Sequence, residues 1–256
     1  MAEFLLELYS EEIPHSLQIS AREEIKKNLI KSLEEESIKF KSAEVYSTPT
    51  RLALLVCDLP SEIKIEAKEI RGPKIGVPEN IIEGFMRSHQ ITKKDLLEKT
   101  DEKGKFYCFK KIAKKILTED VLSKLIPKVI TSINWKKSMR WSDHNLMWGR
   151  PLRSILAIFN NKHLRFKYHH LVSTDGIIIV DNFIDKIKKV KNFKEYETQL
   201  KANKILLKQE DRKNNILKKF QTICKSKNYL ENFNEKLIEE VVNITENPSV
   251  ILADFD

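Results

Sequence analysis

The apolar residues pass from strand-like to helical spacing and back to strand-like spacing before residue 60, and a chain that does this must pack helices onto a sheet. Glu3 to Tyr9 is a mixed apolar run of strand length. Pro14 then stands where a helix can begin, since a first-turn residue has no intrahelical use for its N–H. Leu17, Ala21, Ile25, Leu29 and Leu33 follow at helical spacing, so the opening predicts a strand and then a helix. Residues 43–57 predict a hairpin, with AEVYS running into a turn at Thr48-Pro49-Thr50 and Leu52 to Cys57 returning as an apolar strand. Arg51 is expected at the edge of a sheet, with Leu52 and Leu54 on the face opposite Ala53, because side chains alternate along a strand.

Farther along, Ile63 to Ile70 and Lys105 to Ile112 predict strands, with breaks at Arg71-Gly72-Pro73 and Gly76-Val77-Pro78 and a helix from about Glu79 to Ser88. Thr118 is placed to cap a helix that carries Glu119 and Asp120 near its positive end. Val121, Leu122, Leu125, Ile126, Val129, Ile130 and Ile133 make its apolar face, and Pro127 inside it is expected to kink or split it. Strands are predicted again at Ser154 to Phe159, Leu164 to His169 and Ile177 to Val180, with a lysine-rich link from Lys186 to Lys194. The last third is helix-rich: Ile216, Leu217, Phe220, Ile223 and Cys224 form one stripe, and Leu237, Ile238, Val241 and Val242 form another behind a cap at Asn234. This irregular order predicts an α+β fold, mainly antiparallel strands mixed with helices, in two subdomains at residues 1–133 and 134–256.

Little of the usual site chemistry is present. The six glycines form neither of the common phosphate-cradling patterns. His169 and His170 are adjacent and on a strand would face opposite ways, so they could not chelate one metal. Glu11 and Glu12 sit at a helix start, where acidic residues favour the helix dipole. Three widely spaced cysteines suit buried apolar positions better than a disulfide framework. No stretch is apolar enough to cross a bilayer, and the first residues lack the basic, apolar and small-residue order of an export signal, so a cytoplasmic location is expected. The net charge of +9 permits a polyanionic partner, and it equally fits the lysine enrichment of an AT-rich genome.

The segment NWKKSMRWSDHNLMWGRPLR, residues 134–153, is the exception. It holds Trp135, Trp141 and Trp148, all the tryptophans of the chain, interleaved with Lys136, Lys137, Arg140, Arg150 and Arg153. Such a mixture suits stacked bases and phosphates, a protein interface anchored by Trp and Arg, or tryptophans buried under solvated cations, and the pattern alone does not choose.

Several motifs in order resemble bacterial glycyl-tRNA synthetase beta subunits: FLLELYSEEIP at 4–14, YSTPTRLAL at 46–54, RGP at 71–73, GFMRSHQI at 84–91, KSMRW at 137–141, RPLRSILAI at 150–158 and EEVVNITENPSVILADFD at 239–256. The sequence departs from that family's pattern at Thr50, where the family usually has Arg, and at Lys136, where it usually has Pro. HHLVSTDGIIIVDNF stands where a GHRF motif is usual. Family members continue well past the last of these motifs, so the chain looks like the N-terminal part of a longer protein. The resemblance implies a heterotetramer of alpha and beta subunits, in which the alpha subunit uses ATP with Mg to activate glycine and transfers it to tRNA. The beta subunit is then expected to contribute to recognition of tRNA(Gly) and to subunit assembly, with no catalytic and no metal-binding residue here. Arg51, Arg71, Lys136, Lys137, Arg140, Trp141, Arg150 and Arg153 are the expected contacts to tRNA or to the alpha subunit.

Overall fold

The computed structural model describes residues 2–65, 68–89, 91–101, 104–111, 114–181 and 183–253. It is mixed α+β, and its backbone divides into two compact units, one of Met1–Ser61 with Thr118–Asp256 and one of Glu62–Leu117. A division at residues 133 and 134 is not the one observed, because strand Ala2–Ser10 pairs along strand Leu152–Phe159 and so joins both sides of that point in one sheet. Long-range strand pairing leaves no mark in local composition.

The larger unit is built on a five-stranded sheet in the order Lys162–His163, Leu152–Phe159, Ala2–Ser10, Arg51–Leu59, Ser42–Ser47, each strand antiparallel to its neighbour. Ala2–Ser10 is the middle strand. A strand covered on both faces has no solvent side on which to alternate, which accounts for its nearly continuous apolar run. Leu5 lies opposite Leu55 on one side and Ile158 on the other. With Ala53 and Leu156 it packs against Ile177 and Ile179 of the hairpin Gly176–Asp181 and Ile184–Lys189, and against Tyr196 and Leu200 of helix Phe193–Ala202. Phe4, Leu6 and Leu8 alternate to the other face and are equally buried. Helix His15–Glu35 packs against Ser42–Ser47 and Arg51–Leu59, and its predicted stripe of Leu17, Ala21, Ile25, Leu29 and Leu33 is buried. Each leucine and isoleucine of that stripe contributes roughly 1.5–3 kcal/mol relative to exposure.

The predicted hairpin forms, with Ser47 opposite Leu52, and Ala53 joins the Leu5 layer while Leu52 and Leu54 alternate away from it. Arg51, however, opens an interior strand, not an edge strand, because Ala2–Ser10 pairs on its other side. Helix Thr118–Thr131 runs unbroken through Pro127, and Thr118 is its first residue, its hydroxyl unpaired, instead of its cap. The strand expected from Leu164 to His169 is replaced by a two-residue pair, Lys167–Tyr168 with Leu171–Val172, because His169 takes a left-handed φ of 52° and turns the chain. The lysine-rich link is in fact strand Ile184–Lys189, recruited by the apolar strand beside it, followed by a helix that Asn192 caps. Asn234 caps helix Glu235–Ile244 as predicted, and Ile238 and Val242 of that helix pack on Ile216 of helix Gln209–Lys227.

In the smaller unit Gly104–Lys111 lies between Lys68–Lys74 and Leu97–Asp101, and Glu62–Ile65 pairs with Lys114–Leu117. The strand expected from Ile63 to Ile70 is therefore two strands in separate sheets. Helix Glu79–His89 forms where predicted, and its Phe85 ring rests on Gly72, where a Cβ would lie 2.8 Å from the ring and 2.9 Å from the Tyr107 carbonyl. Strand Lys68–Lys74 runs through Arg71-Gly72-Pro73, so the break expected there is only a register shift between Arg71 and Lys74, with Gly72 required by the packing of Phe85.

Candidate functional site

The aromatic and basic segment leaves helix Thr118–Thr131 under tight local control. Asn28 of the first long helix donates to the Ser132 carbonyl at 3.2 Å, and the backbone N–H of Asn134 donates to Glu24 at 2.6 Å. A short hairpin follows, Met139–Arg140 against Met147–Trp148. Beneath it Trp135 meets Trp148 edge to face at 4.9 Å, and a Cβ on Gly149 would fall 2.4 Å from the Trp135 ring, so only glycine fits there. Beside this aromatic pair lies a pocket of about 350 Å³ whose walls include Trp135, Ser138, Asn145, Trp148, Tyr168 and His169. Tyr168 and His169 arrive from the following turn and could not have been assigned to this place from sequence spacing.

The predicted contact residues other than Arg51 separate into three groups. Lys136, Lys137, Arg140 and Trp141 are all exposed on this hairpin and its approach, Trp141 to 58%. Among the described residues none of the three cations makes an ion pair. Arg150 is half-buried and donates to the Gly149 carbonyl, and Arg153 is bracketed by Glu11, at 3.3 Å, and Asp185. Arg71, in the smaller unit, is exposed and stacks over Phe106 at 4.1 Å.

Arg51 departs from the expectation of a surface contact. Its side chain is 2% exposed, pairs with Glu7 at 2.9 Å and also donates to the Ile178 carbonyl. Tyr196, itself fully buried, donates to the same Glu7 carboxylate at 2.5 Å. Burial favours the neutral guanidine, but the Glu7 carboxylate outweighs it and holds Arg51 firmly charged. Burial, and then Glu7, push the Tyr196 phenol upward. These three residues form an internal polar knot, and the arginine of the TPTRLAL motif is a core residue.

Motifs far apart in the chain also meet. Thr48 and Thr50 of the hairpin turn donate to Glu246 at 2.7 and 2.9 Å. Arg212, fully buried, donates to the carbonyls of Ser47, Leu207 and Val242, and burial brings its pKa down to about 10 against the opposing pull of Glu246. Gln18 spans from the Ile13 carbonyl to that of Asn243. The TENP region thereby serves as a brace for the hairpin turn, a role for which Glu246 carried no sequence signal.

Among the described residues no group of three His, Cys, Asp or Glu side chains could hold a metal ion. His144 and His170 stack at 3.6 Å with rings 9° apart, and slight desolvation of the otherwise exposed His170, followed by the fields of His144 and His169, lowers its pKa. Cys57 and Cys224 are free thiols, and Cys108 and Cys224 are buried. Among the described residues no helix is long and apolar enough to cross a membrane.

Comparison with known proteins finds a family model described as "Glycyl-tRNA synthetase beta subunit" that matches residues 4–256. The chain is 35% identical over 256 residues to the glycine–tRNA ligase beta subunit of Rickettsia akari (strain Hartford). It is 34% identical to the proteins of the same name from Rickettsia peacockii (strain Rustic), over 256 residues, and Rickettsia prowazekii (strain Madrid E), over 254. Each alignment covers 99% of this chain and 38% of the relative's length.

Proposed function

The chain belongs to the glycyl-tRNA synthetase beta-subunit family, and from that premise we propose that it serves glycyl-tRNA synthesis as a noncatalytic element that contacts tRNA(Gly). The observation that carries this reading is the hairpin: Lys136, Lys137 and Arg140 stand exposed around the exposed Trp141 and, among the described residues, lack internal ion-pair partners. Cations in that state keep their charge available to phosphates, and each phosphate they neutralise releases counterions. ATP with Mg and the activation of glycine are assigned to an alpha subunit, in a cytoplasmic heterotetramer. That assignment is supported by the lack of a phosphate-cradling glycine pattern in the sequence.

A second reading, docking of the alpha subunit on the same hairpin, is favoured by Met139 and Met147, which are 38% and 51% exposed. Salt separates the two. If tRNA is the partner, replacing Lys136, Lys137 or Arg140 with alanine weakens tRNA binding and lowers the slope of log affinity against log salt by about one per lost contact. If the partner is the alpha subunit, truncating an arginine anchor costs roughly 2 kcal/mol of assembly with little salt dependence. Unchanged tRNA affinity and unchanged assembly in the triple variant of the full enzyme would refute both. The protein alone is expected to give no glycine-dependent pyrophosphate exchange, and exchange above a no-protein control would overturn the noncatalytic assignment.

A further inference from the structure

We propose that the pocket beside the hairpin receives one unstacked nucleobase of a single-stranded RNA segment. This rests on the reading of the hairpin as a tRNA contact and adds that a base, not only the backbone, is bound. The pocket, about 350 Å³, falls in the size range of small-ligand sites, and its walls are of the kind a lone base needs. Trp135, Trp148 and Tyr168 provide aromatic surface, while the Ser138 hydroxyl and the Asn145 amide can each donate to and accept from a base edge. The lining contains no carboxylate that would repel a phosphate at the mouth.

Two further observations point to a ligand. The indole N–H groups of Trp135 and Trp148 are buried without any hydrogen-bond partner, an unfavourable state that a base acceptor would relieve after a small shift of either ring. Lys136 and Lys137 are also tied to the mouth by the chain itself, since they lie between the wall residues Trp135 and Ser138. A base drawn out of a strand carries a phosphate on each side, so a pocket flanked by unpaired cations matches an extruded nucleotide. An aromatic side chain from a protein partner would fill the same walls but would leave those cations unanswered.

The test compares a five-nucleotide RNA with an abasic oligomer of the same length and charge, bound to the protein and followed by anisotropy of labelled RNA and by tryptophan fluorescence. Every tryptophan of the chain lies in residues 135–148, so fluorescence reports the pocket together with the exposed Trp141 of the hairpin beside it. The base-containing RNA should bind about 10-fold tighter than the abasic one, the scale of one base stacked on an aromatic wall, and should change the fluorescence. Ser138→Trp, which fills the mouth, should abolish that difference, and Asn145→Ala, at an exposed position with little risk to folding, should reduce it. Both variants should leave the salt slope intact. Equal binding of the two RNAs with a normal salt slope overturns the base pocket and leaves the tRNA-contact reading standing. A base preference that survives both variants also overturns it, because the base is then bound elsewhere. Absence of binding by either RNA and by tRNA removes both proposals together.

Discussion

Replacing Arg51 with leucine would leave the Glu7 carboxylate, 1% exposed, with the Tyr196 hydroxyl as its one remaining hydrogen-bond donor among the described residues. At the observed separation of 2.9 Å and an effective dielectric of about 20, the lost attraction is roughly 6 kcal/mol. Relief of the guanidinium's own desolvation offsets part of it, so the net cost should be about 3–5 kcal/mol, the usual cost of orphaning one member of a buried pair. For a domain of about 150–250 residues that corresponds to a fall in melting temperature of roughly 6–20 °C. Thermal unfolding followed by circular dichroism, in low salt and again in 0.5 M NaCl, measures it. The loss should be nearly the same in both, since mobile ions do not screen a pair from which water is excluded. A Glu7→Leu, Arg51→Leu double variant should recover part of the stability, because no buried charge is then left alone. The reasoning is refuted if Arg51→Leu melts like the parent while its tRNA affinity drops with a shallower salt slope. That result would make Arg51 a surface contact after all.

Gly149→Ala should cost about 1–3 kcal/mol and alter the near-ultraviolet dichroism, because its Cβ would displace the Trp135 ring from Trp148; an unchanged tryptophan signal would contradict the packing. Glu246→Ala removes the acceptor shared by Thr48 and Thr50 and should cost about 1–3 kcal/mol, with faster amide hydrogen exchange at residues 48–51, whereas native protection there would show that the brace is unimportant. The lowered pKa of His170 means that the folded state favours its neutral form. Its contribution to stability is therefore complete above the unfolded value, about 6.5, and is lost as pH falls through the folded value. His170→Gln should flatten this part of the pH dependence of unfolding, and an identical profile in the variant would count against the stacked pair.

The elements that the sequence alone determined are those whose stabilisation is local or lies on one repeating face. The stripe from Leu17 to Leu33, the hairpin around Thr48-Pro49-Thr50 and the Asn234 cap could be read because periodicity and capping involve neighbours a few positions apart. The ordered family motifs carried the identity of the family in the same way, as did the concentration of tryptophan and cations in residues 134–153. Whether each of those cations faces water was a tertiary matter. Arg51 and Arg140 are the same residue type in comparable motifs, yet Arg51 is buried because Glu7, 44 positions earlier, supplies the compensating charge, and Arg140 is exposed because nothing equivalent reaches it among the described residues. The lysine-rich stretch became strand Ile184–Lys189 because the neighbouring apolar strand offered it a ladder, and the pocket exists because Tyr168 and His169 turn back toward the tryptophan pair. Burial of charge, strand partnership and the walls of a pocket depend on which distant segments meet, and a one-dimensional pattern holds no record of that.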